Sequence, residues 1–133
     1  MRQLEDQSND KAEVQAQEKE TWSELVKGFQ DEVTRLEKSN AGADFEKMSD
    51  FQCRISNPSA KTAAIVTADL DARTISYSYE PEDKNTAVPE EGILALRPEG
   101  RSVNLFSADQ QLSAEQARRL ILEPLQFQQT PRS

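Results

Sequence analysis

The stretch that decides the fold is Thr62-Ala63-Ala64-Ile65-Val66-Thr67-Ala68-Asp69-Leu70-Asp71-Ala72-Arg73-Thr74-Ile75-Ser76-Tyr77-Ser78-Tyr79. In its second half Ile75, Tyr77 and Tyr79 alternate with Thr74, Ser76 and Ser78, and that period of two sets one apolar and one polar face on a strand. The first half, Thr62 to Ala68, is apolar on both faces, as a strand with cover on both sides would be. Only Asp69-Leu70-Asp71 marks the reversal between them. A parallel pair needs a crossover of a dozen or more residues, so these two strands pair antiparallel.

Working outward, the same period continues on both sides. Upstream, Phe51, Cys53 and Ile55 alternate with Gln52, Arg54 and Ser56, which places Cys53 in the core beside Phe51 and Ile55, and Asn57-Pro58-Ser59 supplies a turn. Downstream, Ile93 to Leu96 reads as a strand apolar on both faces, and Arg97-Pro98-Glu99-Gly100 as a tight turn into Arg101 to Phe106. The expected sheet is an antiparallel meander of about five strands. Its two double-faced strands require something to cover each face.

Helices are expected at both ends. Trp22, Leu25, Val26, Phe29, Val33 and Leu36 are spaced to fall on one side of a helix, with Thr21 and Glu24 at capping-box spacing and Asn40-Ala41-Gly42 as a stop. A shorter helix opens at Ser113-Ala114-Glu115-Gln116 and ends at Pro124, beyond which Leu125 and Phe127 are placed to hold the tail against the sheet. The fold class is therefore α+β: one antiparallel sheet flanked by a long N-terminal and a short C-terminal helix. Residues 1–20 form a polar lead, disordered or a frayed helix, because they have no apolar stripe to bury. Residues 21–128 form a single α+β domain, and 129–133 a tail.

With 133 residues the chain has room for one ordinary domain. Hydrophobic residues make up 35% and charged ones 30%, which is polar for a globular domain. The net charge of -8 argues against nucleic acid as a partner, since phosphate backbones call for clustered Lys and Arg. Part of the acid is concentrated in Glu80, Glu82, Asp83, Glu90 and Glu91, an acidic surface on the connection from 80 to 91. The opening residues lack the apolar run of a signal peptide, and no stretch reaches the length of a membrane span, so a cytoplasmic protein without a membrane partner is expected.

The catalytic vocabulary is thin. There is no His, which removes the base used most often at neutral pH and the commonest metal ligand, and there is one Cys, Cys53, which allows no internal disulfide. Asp69-Leu70-Asp71 begins like a calcium loop, but Arg73 and Thr74 stand where a ligand and a Gly belong, so a turn is expected and no metal. Four Gly are too dispersed for a phosphate-cradling loop, and no cofactor is expected.

The favoured expectation is a soluble, non-catalytic interaction or assembly module whose partner is another protein or a second copy. Trp22, Phe29 and Leu36 recur every seven residues, so Trp22, Leu25, Val26, Phe29, Val33 and Leu36 are the candidate interface of a possible homodimer if they do not pack on their own sheet. One alternative is a small-ligand-binding domain with a pocket between helix and sheet. Another is an enzyme that uses only carboxylates, drawn from the acidic connection or from Asp69 and Asp71.

Overall fold

A computed structural model describes residues 2–36, 42–100 and 102–126, with side chains from residue 14 onward. Helix α1 (Arg2–Leu36) leads into seven strands: β1 (Asp44–Ser49), β2 (Gln52–Asn57), β3 (Thr62–Asp69), β4 (Thr74–Pro81), β5 (Gly92–Glu99), β6 (Ser102–Ser107) and β7 (Gln110–Leu112). Helix α2 (Ala114–Leu122) and a short 3-10 turn (Glu123–Leu125) close the chain. The strands form one antiparallel sheet whose spatial order follows the sequence, the meander that short connections favour.

Register assigns the faces. Cys53, Val66 and Tyr77 are cross-strand partners, as are Ile55, Ala64 and Tyr79, and Ala68, Ile75 and Leu94. Leu96 pairs with Leu105 and Leu105 with Leu112, which carries the same face to the far edge. Nearly all of these side chains are buried, and Trp22, Leu25, Phe29 and Val33 of α1 join them with Ala117, Ile121, Leu122 and Leu125 in one cluster. Both helices therefore lie on one face of the sheet. The stripe of α1 fills the trough between the β1–β2 side and β6, and α2 lies alongside it.

Several local devices hold this arrangement. Ser113 caps α2 as a capping box, accepting from the Gln116 amide while the Gln116 side chain accepts from the Ser113 amide. Asn57 donates to the Leu125 carbonyl at 2.7 Å and Tyr79 donates to the Ile121 carbonyl at 2.7 Å. These two bonds fasten the C-terminal end of α2 to β2 and β4. Gly92 lies against the ring of Tyr77, whose hydroxyl oxygen would clash with a Cβ there, so only glycine lets the ring lie across β5. At Gly28 a Cβ would meet the Arg118 guanidinium at 2.9 Å, and the missing side chain makes the notch through which α2 approaches α1.

The structure departs from the expectations in definite places. There are seven strands instead of about five, because β1 and β7 are edge strands with little apolar alternation to announce them: β1 reads Asp-Phe-Glu-Lys-Met-Ser, and β7 has three residues. Among the described residues the outer face carries no helix. Ile93, on that face, is 59% exposed, so the double-faced pattern of β5 does not mark cover on both sides. Phe51 is not in the core with Cys53 but 39% exposed, since β2 begins one residue later and Phe51 sits in the turn, its carbonyl accepting from the Ala68 amide. Pro98 and Glu99 belong to β5, paired with Val103 and Ser102, so the reversal falls at Gly100 with φ +62°. Helix α1 runs straight through Thr21 to Glu24. Asn40 and Ala41 of the expected stop, Arg101, Phe127 and the tail from 129 lie outside the described residues.

Phe29 is completely buried in the cluster that joins α1, the sheet and α2. Phe29→Ala is expected to cost about 3 to 5 kcal/mol of unfolding free energy in urea denaturation. A loss below about 1 kcal/mol would show that the stripe is not the core.

Candidate functional site

The candidate interface residues are placed in the interior of a single chain. Trp22, Leu25, Phe29, Val33 and Leu36 are buried, and Val26 is half-buried at the margin of the stripe. That margin opens into a cleft of about 330 Å³ between α1 and the β1–β2 hairpin. Trp22, Val26, Phe45 and Cys53 give it an apolar lining, and Lys27, Lys47 and Asp50 a charged rim. The Trp22 indole donates to the Asp50 carbonyl at 2.8 Å, which fixes the ring against the hairpin turn. Burial pushes the Cys53 thiol up to about 12, so at neutral pH it is a protonated apolar group and not a nucleophile. Met48 and Phe51, which interleave in sequence with the lining residues Lys47, Ser49, Asp50 and Gln52, are 49% and 39% exposed.

A larger cleft, about 450 Å³, separates the C-terminal ends of α1 and α2. Its arginines are already answered by carboxylates. Glu32 is shared by Arg35 and Arg118, and Arg119 donates to Glu115 at 2.8 Å. Cations at helix C-termini also offset the negative end of the helix dipole, which accounts for their position without a ligand.

The acidic surface is divided by the fold. Glu80 and Glu82 converge on Arg54 at 3.9 and 4.0 Å, and Asp83 pairs with Lys61 at 3.2 Å. The Thr86 hydroxyl, together with Lys61 and the Asn85 amide, holds the Asp83 carboxyl down to about 2. These acids fasten the connection after β4 to β2 and to Lys61 beside β3. Glu90 and Glu91 remain exposed and apart from that cluster. Asp69 accepts from the Ala72 amide, the expected turn chemistry, with Arg73 at φ 56° completing the reversal. Among the described residues no group of three or more His, Cys, Asp or Glu side chains is arranged to hold a metal ion.

One residue escaped the sequence reading. Glu18, assigned to the polar lead, is only 1% exposed and is the first buried side chain among those described in α1. Its Oε1 lies 3.9 Å from the Arg73 guanidinium, while its Oε2 is buried without a hydrogen-bond partner. The available signal was spacing: Glu18 precedes Trp22 by four and Leu25 by seven, so it continues the stripe. Burial raises its pKa, Arg73 opposes that rise, and Asp71 adds to it.

A carboxyl raised in the folded state contributes fully below its unfolded pKa, and that contribution is lost as pH rises through the folded value. Glu18→Gln should therefore be more stable than the parent at pH 7, by about 1 kcal/mol, with the difference fading toward pH 4 in paired urea titrations. A variant weaker than the parent at pH 7 would mean that the Arg73 pair outweighs desolvation.

Among the described residues no helix is long and apolar enough to cross a membrane. Comparison with protein-family models, curated proteins and solved structures returned no match.

Proposed function

We propose that this chain is a non-catalytic interaction module that receives a protein partner at the cleft between α1 and the β1–β2 hairpin. The observation that carries the proposal is the apolar floor of Trp22, Val26 and Phe45, walled by a hairpin on which Met48 and Phe51 are exposed. Large apolar side chains left in water on an element that also walls a concave apolar surface are what a docking face requires.

The other readings find less support. Self-association through the Trp22 to Leu36 stripe would have to withdraw side chains already closing the chain's own core. A carboxylate-only reaction needs acids whose environments separate their pKa values, whereas Glu80, Glu82 and Asp83 are paired with Arg54 and Lys61. A small ligand would use the same cleft, whose 330 Å³ lies at the lower end of ligand pockets, about 300–1,000 Å³. The net charge of -8 disfavours a polyanionic partner. On this reading the protein works in the cytoplasm, where a lone thiol such as Cys53 stays reduced.

The test uses Trp22, the single tryptophan, as an energy donor to anilinonaphthalene sulfonate, an apolar dye with one negative charge. Excitation of Trp22 should yield dye emission that falls several-fold in a Met48→Asp/Phe51→Asp double variant, both sites being solvent-exposed. Equal transfer in parent and variant would remove the hairpin side of the cleft as the docking face.

A further inference from the structure

Strand β1 is the long open edge of the sheet. The order β1 to β7 leaves two edges, and β7 is only three residues long and leads directly into the cap of α2. β1 has six residues, five of them exposed. Pairing with β2 occupies one side of β1, so every second residue turns its N–H and C=O outward. Among the described residues no backbone hydrogen bond from another segment reaches that side. An unpaired strand edge of this length is a template for another strand.

The two faces of β1 differ in chemistry. Phe45 and Lys47 stand opposite Ile55 and Cys53 and share the cleft face. Asp44 and Glu46 stand opposite Ser56 and Arg54 on the outer face. There Arg54 already holds Glu80 and Glu82, so acid exceeds base along this margin.

The same pattern opposes pairing of β1 with its own copy. Antiparallel strands related by a two-fold axis must set residues of the same facing opposite one another. Centred on Glu46, that pairing sets Glu46 against Glu46. Centred on Lys47 it opposes two lysines, and centred on Phe45 it sets Asp44 against Glu46. The register irregularity between Lys47 and Ser49 interrupts the ladder before a register centred further along gains length.

We propose that β1 accepts, as an eighth strand, an extended segment of a different protein whose alternate side chains are basic on the outer face and apolar on the cleft face. Basic side chains beside Asp44 and Glu46 answer the surplus acid, and apolar ones beside Phe45 lengthen the floor begun by Trp22 and Val26. Main-chain bonds then supply affinity and the alternation supplies selectivity. The inference rests on the cleft reading above and names the partner's chemistry.

The probes are two synthetic peptides, Ac-Lys-Val-Lys-Val-Lys-amide and Ac-Glu-Val-Glu-Val-Glu-amide, titrated against Trp22 emission with the full chain. The lysine peptide is expected to give a saturable change with a dissociation constant at least tenfold below that of the glutamate peptide. Glu46→Lys, at an exposed position, is expected to shrink or reverse that ratio. Equal binding of the two peptides, binding by neither, or a ratio untouched by Glu46→Lys overturns strand addition. So does a peptide-free dimer in light scattering that Glu46→Lys alters, which would assign the edge to self-pairing. If the peptides fail while dye transfer from Trp22 still depends on Met48 and Phe51, strand addition falls and the cleft reading stands; if both fail, both fall.

Discussion

Among the described residues both helices lie on one face of the seven-stranded meander, and the stripe from Trp22 to Leu36 is the longer of the two covers that remove its apolar side chains from water. The short α2 contributes Ala117, Ile121 and Leu122, too little to cover a sheet of this width. Burial of the α1 stripe against β1, β2 and β6, with α2 beside it, therefore joins strands from opposite halves of the sheet, β1 and β2 to β6, that share no hydrogen bonds across that gap. Without that helix the inner rows from Ile55 to Leu105 would form an exposed apolar patch on an unsupported sheet.

Because the core is assembled from one side, its polar contacts cluster where elements enter or leave it. Trp22 donates to the Asp50 carbonyl at the hairpin turn, Asn57 to the Leu125 carbonyl and Tyr79 to the Ile121 carbonyl. Each contact satisfies a polar group at the boundary of an apolar cluster while fixing which end of a helix meets which strand. Glu18 is the exception, a carboxylate in the stripe with one oxygen unsatisfied, at the point where α1 passes the β3–β4 turn. A buried carboxylate with one oxygen unsatisfied is a standing cost that a glutamine would lower.

The arrangement that closes the core also determines what is left to meet a partner. Helix α1 lies along the trough, so its margin and the β1–β2 hairpin bound a cleft with Trp22 at its floor, and among the described residues β1 is the unpaired border of that cleft. The function proposed for the chain is thus tied to the fold's asymmetry: one face filled, one edge long and open.

Much of the fold was legible in the residues. Alternation at Ile75, Tyr77 and Tyr79 set a strand and its inward face, three-and-four spacing from Trp22 to Leu36 set a helix, and short turns made the sheet antiparallel, because these patterns follow from backbone geometry alone. Tertiary structure alone decided which face the helices cover, that charged β1 and three-residue β7 are strands at all, that Phe51 leaves the core, and that Glu18, placed on the stripe by its spacing, is buried there as a carboxyl. In each of these cases the state of the residue depends on a neighbour distant in sequence: an edge strand is defined by its partner's hydrogen bonds, and burial by whatever packs on top. The candidate site belongs to this second group, since a cleft and an unpaired edge exist only once α1 has settled against the sheet.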